Sequence, residues 1–192
     1  MRVGSLTELI SRYSNKVSEL GEKLAYEEID KSMKDFKEQV RKLSTEKVEE
    51  ELIAYLNENI TSRKWDKADF WIPSAHEHPS VKYIDIFNEV LQTEDSEIIL
   101  YWVLDVIAYM PDEISEHAVP GLRKLMANDP NWTEPIIEKY FETLVWCDEQ
   151  AEEFIATLVD SSNDMIAFRA NYWMVTFEVE REEEEEGSPD KE

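Results

Sequence analysis

The stretch SEIILYWVLDVIAYM, Ser96–Met110, decides the fold because it recurs. Shifted by 37 residues it lies on TEPIIEKYFETLVWC, Thr133–Cys147, so that Ile99 meets Ile136, Leu100 meets Ile137, Leu104 meets Phe141, Ile107 meets Leu144 and Tyr109 meets Trp146. The first four pairs share the spacing of one apolar helix stripe. A shift of 33 residues sets HAVPGLRKLMAND on the stretch after Gln150, pairing Ala118 with Ala151, Leu122 with Ile155, Leu125 with Leu158 and Met126 with Val159. Helix pairs that recur at such intervals form solenoids, each pair burying its apolar face on the next.

Working outward, the same texture covers residues 80–177. SVKYIDIFNEVLQ comes before the first repeat, QAEEFIATLV and DMIAFRANYWMVTFE after the second, and short polar breaks such as TED, PDEIS and DSSN separate them. Breaks of this length join antiparallel neighbours. Residues 1–64 read differently. Leu6, Ile10, Tyr13, Val17, Leu20 and Leu24 make one narrow stripe, and Ile29, Met33, Phe36, Val40 and Leu43 another. The register breaks near Ala25 and Tyr26, which allows either two short helices or one bent one. STEKVEEELIAYL then opens a further helix, with Ser44 or Thr45 as its N-cap. Between these parts lies a joint over residues 65–79, bounded by Pro73 and Pro79, with Phe70, Trp71 and Ile72 available to pack over it. The expectation is an all-α protein: N-terminal helices over 1–64, the joint, an array of stacked helical hairpins over 80–177, and an acidic disordered tail over 178–192.

The array resembles HEAT-type repeats. AVPGLRKLMAND, with Pro120 inside the helix, is similar to the first helix of such a pair. DSEIILYWVL and NDMIAFRANYW are similar to second helices, and Arg169 falls near where these repeats often place an arginine, although the two earlier pairs lack it. The resemblance covers about residues 80–177, roughly three pairs. It implies a curved scaffold that binds another macromolecule on its concave face, with no catalytic residues to carry over.

Charge narrows the choice of partner. The chain of 192 residues has a formal net charge of −24, unevenly spread. Residues 1–65 carry 12 Lys/Arg and 13 Asp/Glu, residues 66–177 carry 6 and 22, and residues 178–192 carry 2 and 9. Such a field repels nucleic acid and anionic membranes and speeds encounter with basic proteins. No apolar run reaches the roughly 18 residues of a membrane span, the first residues do not form a signal peptide, and Cys147 is alone. These features lead to the expectation of a cytoplasmic protein.

Candidate chemistry is sparse. His76-Glu77-His78 is the one close histidine pair, and with His117 it allows a metal-dependent enzyme as an alternative. Zinc sites need three or four ligands converging from separate elements, however, and neither His-Glu-x-x-His nor Cys-x-x-Cys occurs. The two histidines are expected as solvated loop residues and Cys147 as a small buried hydrophobe at a helix end. With no nucleophile elbow and no phosphate-binding glycine loop, no catalytic residue, metal site or cofactor is expected.

The repeats offer more. Glu97, Tyr101 and Asp105 align with Glu134, Glu138 and Glu142, each set running i, i+4, i+8 along one helix, and Arg169 and Trp173 take the corresponding positions in the third pair. Stacked helices would turn these into a polar, mostly carboxylate ridge with aromatic anchors, suited to a basic protein surface. The expected function is therefore non-enzymatic protein binding, as by an inhibitor or immunity protein that neutralises a basic toxin such as a nuclease. The alternative is an assembly adaptor that associates through the N-terminal stripes.

Overall fold

Ser5 starts the first helix by a reciprocal cap: its hydroxyl accepts from the Glu8 N–H, and the Glu8 carboxylate accepts from the Ser5 N–H. In the computed structural model, which describes residues 4–128 and 130–186, this helix is α1, Leu6–Glu22, and α2 follows at Tyr26–Val40. Leu24, in the left-handed region at φ 54°, ends the first and turns the chain. The register break therefore marks two helices, packed on each other as a hairpin. Leu6, Ile10, Tyr13, Phe36, Val40 and Leu43 are buried, while Leu24 and Tyr26 at the hairpin tip are exposed. Ser44 caps α3, Thr45–Ser62, through the Lys47 N–H.

The expected joint becomes an inner part of this unit. α4, Ala68–Trp71, passes directly into a 3-10 turn at Ile72–His76. Phe70, Ile72, Pro73, Ser74 and Ala75 are all buried. Phe36 meets Phe70 edge-on with ring centres 5.1 Å apart, and Tyr55 stacks on Trp71 at 4.6 Å. Side chains buried in this way contribute about 1.5–3 kcal/mol each. A second 3-10 turn, Val81–Tyr83, leads into α5, Ile84–Thr93, and then α6, Glu97–Ala108. The short α7, Asp112–Ser115, and a turn at Glu116–Ala118 follow.

The chain divides into two compact units, residues 1–118 and 119–192. The second contains α8, Val119–Ala127; α9, Glu134–Cys147; α10, Ala151–Ala156; and α11, Asp164–Glu186. Pro120 lies in the first turn of α8, where its missing N–H breaks no helical hydrogen bond, and not in the helix interior. Tyr140 donates to the Leu122 carbonyl at 2.9 Å, joining α9 to α8, and Arg123 pairs with Asp148 beyond the end of α9. α11 packs on α9 and α10. It reaches Glu186, through the first part of the acidic segment; the rest of the expected tail, residues 187–192, lies outside the described residues.

The fold is all-α, with no strand among the described residues. None of its described helices is long and apolar enough to cross a membrane. The repeat seen in the sequence is legible in burial. Ile99, Leu100, Leu104 and Ile107 are buried on α6, and so are Ile136, Ile137, Phe141 and Leu144 on α9. Tyr109 and Trp146, also a matched pair, are exposed in both. The two helices fall one in each unit.

Candidate functional site

α6 packs on the 3-10 turn at Ile72–His76 and on α5, and its start is tied down by Glu94. Glu94 accepts from the backbone N–H groups of Asp95 and Ser96, both at 3.0 Å, and from the Trp65 indole and Arg63. Burial pushes the Glu94 carboxyl up, but these donors outweigh it and hold the group below its ordinary range. The inner face of α6 is wholly apolar. Its outer face carries Glu97 and Tyr101, both exposed, beside Ile98 at 65% exposure and Tyr109 at 68%. Asp105, expected in the same row, is more withdrawn and lies 4.0 Å from the His76 Nε2. Burial moves His76 below the ordinary histidine range, although Asp105 pulls the other way; the Tyr109 ring stands edge-on to the imidazole. An open cleft of about 470 Å³ adjoins this row, lined by Trp65, Ile98, Ile99 and Trp102 with Arg63 and Asp69 among its polar groups. No sequence motif announces the cleft, because its walls come from segments about thirty residues apart.

In the second unit, Glu134, Glu138 and Glu142 run along α9 as their spacing requires, each with about half its side chain exposed. Arg169 of α11 reaches two of them, with its Nη2 3.2 Å from Glu134 and 3.0 Å from Glu138. Lys139, almost fully buried, lies 3.7 Å from Glu142. The arginine that ends the acidic pattern in the sequence is thus the counterion of that pattern in space. Trp173 is half-buried and packs against Phe177 and Tyr172. Each set is therefore held in its own unit: Glu97, Tyr101 and Asp105 in the first, Glu134, Glu138, Glu142, Arg169 and Trp173 in the second.

The histidines depart from the solvated reading. His78 is only 6% exposed. Its Nε2 lies 2.9 Å from the Val40 carbonyl and its Nδ1 3.1 Å from Thr45 Oγ1. The carbonyl can only accept, so Nε2 carries a proton and donates. His78 thus ties the end of α2 to the start of α3. Glu77 pairs with Arg41, and Ser80 and Lys82 both bind Glu49, in the same seam. Among the described residues no group of three or more His, Cys, Asp or Glu side chains is placed to hold a metal ion. Cys147 is buried at the end of α9, as expected.

No protein-family model matches the chain, and comparison with curated proteins and with solved structures likewise gives no match.

Proposed function

We propose that this chain is a non-enzymatic, acidic protein-binding module of HEAT-like helix pairs that inhibits a basic partner in the cytoplasm, as an immunity protein does when it covers the active cleft of a nuclease toxin. The observation that carries this reading is the outer face of α6, where Glu97 and the partly exposed Asp105 share a surface with exposed Ile98, Tyr101 and Tyr109. Aromatic anchors within charge of one sign are the composition of a specific interface to a cationic partner. Carboxylates there take the place of the partner's substrate phosphates, and Tyr101 supplies the apolar contact. Glu134, Glu138 and Glu142 contribute less field than their number suggests, since Arg169 and Lys139 offset them. An adaptor working through the N-terminal stripes has less support, because most of those residues are buried within their own unit.

The test is capture from native lysate with tagged full-length protein, eluted in rising salt, beside a variant carrying Glu97→Lys and Tyr101→Ala. Both changed side chains are exposed, so the variant keeps the fold. The expected result is a basic protein released mainly by salt and not held by the variant. Equal capture by the variant, or capture of no basic protein, overturns the proposal.

A further inference from the structure

α11 has two apolar faces. One carries Ile166 and Ala170, buried within the second unit, with half-buried Trp173 and Phe177 following on. The other is in solvent: Met165, Phe168, Tyr172, Val175 and Val179 are all exposed, Phe168 by 62% and Val175 by 59%. Their spacing is 3-4-3-4, the a/d spacing of a coiled-coil seam. At 1.5 Å per residue the seam is about 21 Å long. A continuous apolar strip of this length on a surface marks a place another molecule covers.

The charge beside the seam selects the occupant. Asp164, Glu178, Glu180, Glu182 and Glu183 are exposed around it. Residues 164–186 contain eight acids and two arginines. Both arginines are engaged within their own unit, Arg169 by Glu134 and Glu138 and Arg181 by Glu152. A second copy is a poor match in either direction. Set antiparallel, the Asp164 end meets the run of acids from Glu178 onward; set parallel, those acids meet themselves. The same acids repel an anionic lipid surface. We infer that the outer face of α11 docks an amphipathic helix of a partner protein whose apolar residues follow heptad spacing and whose flanks carry Lys or Arg. This rests on the reading of the chain as a protein-binding module, but on none of the carboxylates of α6.

The probe is a synthetic helical peptide about three heptads long, with Leu at a and d and Lys at e and g, titrated calorimetrically into the full chain. A twin peptide carries Glu at e and g. The Lys peptide is expected to bind at least about tenfold more tightly than its twin, and Phe168→Ser with Val175→Ser is expected to weaken it at least about tenfold. Circular dichroism of that variant should be unchanged, since neither side chain is part of the core. The Glu97→Lys, Tyr101→Ala variant is expected to bind the peptide within about twofold of the parent. Equal binding by the seam variant would mean bulk charge attraction alone and overturns the inference. So does no binding of the Lys peptide, or a dimer in light scattering that the seam variant abolishes. If the α6 variant loses the peptide and the seam variant keeps it, the α6 reading stands and this one falls.

Discussion

Between Phe70 and His76 the chain holds a proline and changes from α to 3-10 geometry, yet Phe70, Ile72 and Ala75 are almost fully buried. α11 runs 23 residues without interruption and leaves Phe168, Tyr172 and Val175 in solvent. The difference lies in what surrounds each segment. The short turn is met by α3, α4 and α6, and α4 itself packs on α1, so every direction from these side chains ends in protein. α11 is met by α9 and α10 on one side. Regularity is a local property of the backbone; burial depends on how many other elements converge.

The sharpest way to break that comparison is to remove the same ring from both places. Phe70→Ala should cost about 3–5 kcal/mol in denaturant unfolding, the range for truncating a buried aromatic. A loss below about 1 kcal/mol would mean the segment is peripheral. His78→Ala should cost about 1–3 kcal/mol, because it removes a donor to the Val40 carbonyl and a partner of Thr45 inside the same seam. A variant as stable as the parent would return the histidine to the solvated reading. At the small end, Phe168→Ala on α11 should change stability by no more than about 0.5 kcal/mol. A large loss there would show that the outer face of α11 supports the fold, and would remove the ground for a docking seam.

Much of the fold was legible in the chain. Ser44, one of the two expected caps, marks the start of α3, Ala25-Tyr26 marks the break between α1 and α2, and the matched positions of α6 and α9 share burial. These are local signals, carried by neighbours within one or two turns. The site was less legible. Arg169 reads as the point where acidity ends, but it meets Glu134 and Glu138, 35 and 31 residues earlier. His78 reads as a loop residue, but its partners lie 38 and 33 residues before it. The outer stripe of α11 is plainly apolar in sequence, yet its period is the one a buried face would show.

By itself, then, the sequence determined that the protein is helical, where most helices begin and break, and that its net negative charge concentrates after residue 65, where Lys and Arg become sparse. Capping, apolar period and charge act over a few residues, so they survive being read one residue at a time. Only the tertiary structure decided which apolar faces are covered, which carboxylates are neutralised and which histidine is locked inside. The decisive pairings, Arg169 with Glu134 and Glu138 and His78 with Val40 and Thr45, bring partners from thirty or more residues away, and such pairing is set by the packing of whole helices.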